Sequence, residues 1–253
     1  MTTNEIANIL HNAAYSAKPV SQMAEDVGMA LEQAYDIQKL LLEKRIEAGE
    51  KLTGYKLGFT SKAKMKQMGV NDLIWGFLTD TMEINPDSET PFSKYIHPRA
   101  EPEIAFKVKA DITSQIEYNE ISNYIESFAV AVEIIDSRYK NFKFSLEDVV
   151  ADNCSSTGYC IGEWHPLVPD LNDLELNLIF DDEVIQQGKT EAILDNPYAS
   201  IVELSRLATE SGLILKAGQV ILAGAATAAE WIKPDLAVKA SLEGFGEVSF
   251  KVR

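Results

Sequence analysis

The decapeptide His97-Pro98-Arg99-Ala100-Glu101-Pro102-Glu103-Ile104-Ala105-Phe106 sets two carboxylates two residues apart at the head of an apolar, strand-like run. Residues i and i+2 of a strand share a face, which stands Glu101 and Glu103 side by side with Cα atoms roughly 6 to 7 Å apart. Two like charges so placed require a cation. A hard divalent ion such as magnesium takes oxygen ligands and keeps positions open for water and substrate, so a third carboxylate is expected from elsewhere in the chain. Glu133 is that candidate. It sits inside Phe128-Ala129-Val130-Ala131-Val132-Glu133-Ile134-Ile135-Asp136, a β-branched run in which an unpaired buried charge would cost several kcal/mol. Alone, an E-x-E pair more often lines a solvated edge strand. Glu133 argues against that here.

Three further stretches carry groups suited to a pocket. Gly54-Tyr55-Lys56-Leu57-Gly58 flanks a lysine with glycines, which let another backbone or a ligand come close, so Lys56 reads as a cation inside a pocket or as a structural residue of a tight strand. Its spacing matches neither a phosphate-binding loop nor a dinucleotide fingerprint. Downstream, Asp80 in Trp75-Gly76-Phe77-Leu78-Thr79-Asp80 is an acid of the right type to pair with Lys56. The loop Asp136-Ser137-Arg138-Tyr139-Lys140-Asn141-Phe142-Lys143-Phe144 gathers a guanidinium, a phenol and an amide just after Glu133, a set suited to holding a carboxylate. A solvated loop would look similar. Asp152-Asn153-Cys154-Ser155-Ser156-Thr157-Gly158 is a small, polar cluster of the kind that lines a cavity with backbone.

These residues need elements to position them. Residues 4 to 15 and 21 to 49 read as amphipathic helices, the second capped by Ser21 and stopped by Gly49, forming an N-terminal helical segment over residues 1–50 that packs on a sheet. Lys62 to Met68 reads as a short helix ended by Gly69, and Glu117 to Ser127 as another. The last hundred residues alternate like sheet: strands at 174–180, 184–185, around Val220, at 237–242 and at 247–252, with one helix from Tyr198 to about Ser211. With no repeats, linkers or low-complexity tracts, residues 1–253 read as one catalytic domain of largely β core with helices packed on it.

The 253 residues suffice for a substantial core, and 46% hydrophobic with 25% charged residues is ordinary for a globular protein. A net charge of −16 argues against nucleic acid or an anionic membrane as partner, because both are bound through Lys and Arg. The same charge repels an anionic substrate, so a site for one must carry its own cations. Cys154 and Cys160 are too few for a disulfide framework and too far apart for a C-x-x-C pair, and no apolar stretch or leader-like N-terminus stands out, so the expected setting is cytoplasmic.

Taken together, Gly54-Tyr55-Lys56-Leu57-Gly58, Pro98-Arg99-Ala100-Glu101-Pro102-Glu103, Val132-Glu133-Ile134-Ile135-Asp136-Ser137-Arg138 and Val150-Ala151-Asp152-Asn153 resemble the 2-keto-4-pentenoate hydratase and 4-oxalocrotonate decarboxylase family, a branch of the fumarylacetoacetate hydrolase superfamily. The likeness runs from about Ala34 to the C-terminus with the motifs in the family's order. It implies an α+β fold, a mixed β-roll of the fumarylacetoacetate hydrolase type, with a divalent metal on carboxylates matching Glu101, Glu103 and Glu133: magnesium, with manganese an alternative. It also implies that Lys56 lies in the active site, with a small 2-oxo- or 2-hydroxy-dienoate from meta-cleavage of aromatic compounds as substrate. Asp80 would assist Lys56, and Arg138, Ser155 and Thr227 would position substrate. A homo-oligomer and a complex with a partner hydratase are implied as well.

Within the family, the Ile134–Phe144 segment, Gly76 to Asp80 and Ser155-Ser156-Thr157 look like the decarboxylase branch, whereas hydratases more often carry Gly where Asp136 stands. Pro102 and the pair Ala225-Ala226 depart from the usual pattern. The expected reaction is loss of CO2 from 2-oxohex-3-enedioate, whose departing carboxylate is vinylogous to the 2-keto group, with the metal as electron sink. Rivals on the same scaffold are hydration of 2-hydroxypenta-2,4-dienoate to 4-hydroxy-2-oxopentanoate and C–C cleavage of an acylpyruvate. A non-catalytic partner subunit is a further alternative, against which the retained lysine and three glutamates argue.

Overall fold

A computed structural model of the chain describes residues 1–60 and 72–253; the helix expected at Lys62 to Met68 lies outside the described residues. Helix α1 (Thr3–Ser16) opens on a capping box in which Thr2 and Glu5 satisfy each other's backbone amides. The long second helix expected from residue 21 is two: one turn, α2 (Ala24–Val27), and α3 (Leu31–Glu47). Gly28 takes φ +62 and ends the first piece, a conformation glycine reaches without strain. Ser21 does not cap it. The amides of Met23 and Ala24 donate instead to the Asp148 carboxylate at 3.1 and 3.0 Å, a partner far off in sequence.

The β elements follow as β1 (Leu52–Gly58), β2 (Ile74–Thr79), β3 (Glu89–Thr90) and β4 (Arg99–Val108). The helix expected over 117 to 127 shrinks to a 3-10 turn and α4 (Ile121–Tyr124), because the β-branched run already enters β5 (Ile125–Ile135). Then come α5 (Leu146–Ala151), β6 (Ser156–Ile161), β7 (His165–Pro166), β8 (Glu175–Phe180), β9 (Glu183–Lys189), α6 (Ala199–Glu210), β10 (Val220–Ala225), β11 (Glu230–Trp231), β12 (Ala237–Leu242) and β13 (Gly246–Val252).

Two mixed sheets result, and the α+β class stands. One runs β2-β1-β10-β4-β5-β6 with β11 and β7 attached at β4 and β5; the other runs β3-β13-β12-β8-β9. Among the named strands of the described residues, β1 with β10 and β3 with β13 pair in parallel and the rest antiparallel. Strands β12 and β13 pack across β5, so Ile104, Phe106, Phe128, Val130 and Val132 fill the main core. The opposite face of β4 and β5 is lined by small residues, Ala105, Ala129 and Ala131, beside Leu78, Tyr159 and Leu222. That alternation turns Glu101, Glu103 and Glu133 away from the main core. No helix among the described residues is long and apolar enough to cross a membrane.

Pro102 sits inside the large sheet, where a proline removes a ladder donor. Its carbonyl accepts from Ala226 N at 3.3 Å, so its ring nitrogen faces β10 where that strand's register shifts between Leu222 and Ala225. A bulge is where a strand tolerates proline.

Candidate active site

β4 is an interior strand between β10 and β5, not a solvated edge, and its register sets Glu101 directly opposite Glu133. Glu103 stands one step further along the same face. The three carboxylates offer oxygens all within 4.8 Å of one another. All three residues are buried, and Glu133 is wholly shielded from solvent. Lys56 reaches them from β1, across β10, because its partner Leu222 lies on the same sheet face; its Nζ is 3.0 Å from Glu133 Oε2. Ser156 Oγ donates to Glu133 Oε1 at 2.7 Å, and the Gly224 amide donates to Glu103 Oε2 at 2.8 Å. Gly224 is required there: it takes φ +105, and a Cβ would fall 2.3 Å from Thr60 Oγ1.

The electrostatics are those of carboxylates crowded together. Burial, reinforced by the Glu133 charge, pushes the Glu103 carboxyl well above the usual range despite Lys56. Burial also raises Glu133, against the pull of Lys56. For Lys56, burial would favour the neutral amine, but Glu133, Glu103 and Glu101 outweigh it and hold the side chain as a cation. One Glu103 oxygen, Oε1, is buried without a hydrogen-bond partner. Three hard oxygen donors, one Glu103 oxygen among them unsatisfied, with the Lys56 ammonium beside them, fit a divalent cation of the magnesium type.

Above this cluster opens a cavity of about 910 Å³ whose lining includes Lys56, Glu101, Ser155, Thr227, Arg99 and Phe142. Ser155 is presented by an unusual turn: Asn153, Cys154 and Ser155 have φ +50, +52 and +59, three successive left-handed residues. Left-handed residues normally occur singly, at roughly 1–2 kcal/mol each, so the turn must be held. The Asn153 side chain does so by bonding both Phe77 N and Phe77 O, at 2.8 and 3.0 Å. Ser155 Oγ is buried without a partner, and Thr227 lies at the cavity wall with its hydroxyl on Ala228 O.

Two sequence expectations are corrected. Arg138 does not face the cavity: it is buried, its Nε and Nη2 engaged by the carboxylate and carbonyl of Asp152, and its Nη1 by Asp136 O and Thr157 Oγ1 at 2.7 and 2.6 Å. A guanidinium so fully engaged braces the Asn153–Ser155 turn instead of holding substrate. Tyr139 is buried with it. Asp80 does not pair with Lys56. It is exposed, accepting the Lys51 amide at 2.9 Å, and follows Thr79, which pairs with Leu52, four residues or roughly 13 Å along β1 from Lys56. Of the glycines beside Lys56, Gly54 makes room for the Val220 backbone, and Gly58 makes room for the Ile74 side chain and also lines the cavity.

Sequence reasoning passed over Arg99, although it stands two residues before Glu101 and strand alternation puts it on the same face. It also passed over the hydrogen bonds that Ser156 and Gly224 make to the glutamates, which depend on register and carry no sequence signal.

A mixed β core that buries three carboxylates and one lysine beneath an open cavity has the form of a hard-cation enzyme site. The family model for the fumarylacetoacetate (FAA) hydrolase C-terminal region matches residues 72–253. The chain belongs to that family. It is 43% identical over 250 residues to a 4-oxalocrotonate decarboxylase of Pseudomonas sp, covering 99% of this chain and 98% of that one. It is 31% identical over 249 residues to the 2-keto-4-pentenoate hydratase of Paraburkholderia xenovorans (strain LB400), covering 96% and 92%. The solved structure of the 4-oxalocrotonate decarboxylase from Pseudomonas putida G7, complexed with magnesium and adipate, superimposes with a TM-score of 0.94 at 35% identity over 99% of this chain and 97% of that one.

Proposed function

We propose that this chain, as one catalytic domain, is a magnesium-dependent decarboxylase of 2-oxohex-3-enedioate (4-oxalocrotonate) that yields 2-hydroxypenta-2,4-dienoate in the meta-cleavage degradation of aromatic compounds. The observation that carries this is the buried Glu101, Glu103 and Glu133 cluster with Lys56, in a chain 43% identical to a decarboxylase against 31% to a hydratase. Magnesium bound by the three glutamates supplies Lewis acidity toward the substrate's 1-carboxylate and 2-oxo group.

In the reaction the C5–C6 bond breaks, its electron pair shifts through the C3=C4 bond to the 2-oxygen, and that oxygen takes up one proton as CO2 leaves. Lys56, held as a cation beside Glu133, stabilises the charge that develops on the oxygen and supplies its proton. Ser155, fixed by its left-handed turn, and Thr227 orient the acid from the cavity wall. Ile135, Phe144 and Val149 make part of that wall apolar, which limits the water that a competing hydration would need.

The relatives named as hydratases make addition of water to 2-hydroxypenta-2,4-dienoate the second reading. Supplying each substrate separately with magnesium and identifying the products separates the two. CO2 release from the diacid should have the larger kcat/KM, and a larger value for hydration of the monoacid would overturn the proposal. Self-association, a complex with a partner hydratase and a cytoplasmic setting belong to the same reading; sedimentation of the chain alone and mixed with a hydratase tests the first two.

A further inference from the structure

Arg99 is a cation at the cavity wall whose donors are unused among the described residues. Its guanidinium carbon lies 3.7 Å from the centre of the Trp231 ring and 4.4 Å from that of Phe142. Trp231 is brought there by the pairing of β11 with β4, and Phe142 by a backbone turned left-handed at Asn141 and Phe142. His97 closes the same aromatic box, and Asp136 pins the lead-in to β4 by accepting Ile96 N and His97 N at 2.7 and 2.8 Å. Cation–π contact fixes the plane of a guanidinium while leaving its in-plane N–H groups unsatisfied. Nε is buried without a hydrogen-bond partner, and among the described residues no hydrogen bond or ion pair engages the group. Glu101 and Glu230 are carboxylates near it. Such a group is prepared for an anion.

We propose that Arg99 receives the distal carboxylate of a dicarboxylic 2-oxo acid whose 1-carboxylate and 2-oxo group sit at the three glutamates. This rests on the decarboxylase reading above and deepens it by naming the residue that selects a diacid. Arg99 and Glu101 are one strand repeat apart, roughly 6.6 Å, comparable to the span of a six-carbon chain. A diacid meets the Arg99 guanidinium at one end and the Lys56 ammonium beside the glutamates at the other, whereas a monoacid leaves the guanidinium unmatched. The planar fork suits a carboxylate gripped by two parallel N–H bonds, which a lysine could not reproduce. Holding a carboxylate in the ground state tightens binding without speeding its loss, so Arg99 determines specificity and not the rate of the chemical step.

Calorimetry on the full chain with magnesium tests this using 2-oxohexanedioate and 2-oxohexanoate, inert acids that differ only in the distal carboxylate. Arg99→Gln should weaken the diacid by about 10- to 100-fold, the worth of hydrogen bonds to a charged group, and the monoacid by no more than about 2-fold. Arg99→Lys should recover part of the loss. Equal weakening of both acids would place Arg99 at the shared end of the ligand, and no weakening of either would leave it structural; each result overturns the proposal. If Arg99→Gln does not fold, Trp231→Leu decides instead: this half-exposed ring can be removed with the guanidinium retained, and weakening confined to the diacid is the supporting result, its absence the opposing one. Because neither acid turns over, selective loss in a protein that releases no CO2 would remove the decarboxylase reading and leave this inference standing.

Discussion

Lys56 lies among three buried carboxylates, and with all four groups ionised the cluster holds three negative charges and one positive, a net of −2. Its charge therefore matters before any substrate arrives. Lys56→Met fills similar space without the charge and strands Glu133, and removing one partner of a buried pair costs about 3–5 kcal/mol. The melting temperature in chelator should fall, and turnover with magnesium should drop about 100-fold or more for loss of a positioned electrostatic or acid–base group. Thermal melts with and without EDTA, alongside steady-state assays, check both; an unchanged metal-free melt would mean the lysine contributes no ion pair to the fold. The glutamates were legible in the sequence because each interrupts an apolar strand at a position whose neighbours had to be buried. Arg138 misled because a guanidinium after a strand looks alike whether it meets substrate or Asp152, and only folding brings Asp152 onto it. Asp80 misled for a related reason: opposite charge suggests a pair, but the β1–β2 register alone decides which residues come within reach.

At the scale of elements, α1 was legible to within a residue because its periodicity and cap are local, whereas the start of α2 was not, since its N-terminal amides are satisfied by Asp148 from α5; the break after α2 is marked only by Gly28. The strands at 174–180, 237–242 and 247–252 were legible by alternation. The turn at Asn153–Ser155 was not, because its left-handed backbone is imposed from outside by Phe77 and accommodated by Gly76. A Cβ on Gly76 would stand 2.9 Å from both the carbonyl and side-chain oxygens of Asn153. Gly76→Ala should therefore displace the turn, at about 1–3 kcal/mol for overpacking, and lower kcat/KM through Ser155 with magnesium affinity preserved. Denaturant unfolding and magnesium titration separate those effects; full activity would mean that the turn does not position Ser155.

The helical segment is tied to the sheet by Glu50, which accepts from Tyr15, Thr79, Thr81 and Arg45 at 2.6, 2.6, 2.7 and 3.0 Å. Burial opposes its charge, but Thr79, Tyr15, Arg45 and Thr81 together hold the carboxyl down at about 2 against an ordinary 4.5. A folded pKa below the unfolded one means stability that is present above about pH 4.5 and lost as the pH falls toward 2. Glu50→Gln should cost roughly 2 kcal/mol at pH 7, the worth of hydrogen bonds to a buried charge. The gap from the native protein should narrow as urea unfolding is repeated from pH 5 to pH 2, and a gap independent of pH would exclude the carboxylate as its source.

Across the whole molecule, the chain carries a net charge of −16 that repels anions, so whatever draws in an anionic acid is local: Lys56, Arg99 and Lys143 line the cavity above the glutamates. The glutamates stand on β4 and β5, the strands against which the second sheet packs, so binding there should be felt by the entire fold. A ligand that binds only the folded state at 100 times its dissociation constant adds about 2.7 kcal/mol. For a chain of this size each kcal/mol moves the melting temperature by about 2–4 °C, so saturating magnesium should raise it by about 5–10 °C. Glu103→Gln should reverse the pattern. Burial and the neighbouring Glu133 already disfavour the Glu103 charge, so a neutral isostere relieves that cost and should raise the metal-free melting temperature while abolishing most of the magnesium response. Differential scanning calorimetry of both proteins, with chelator and with magnesium, reads all four states. A native protein indifferent to magnesium, or a Glu103→Gln protein that responds as fully as the native one, would remove the triad as the metal site.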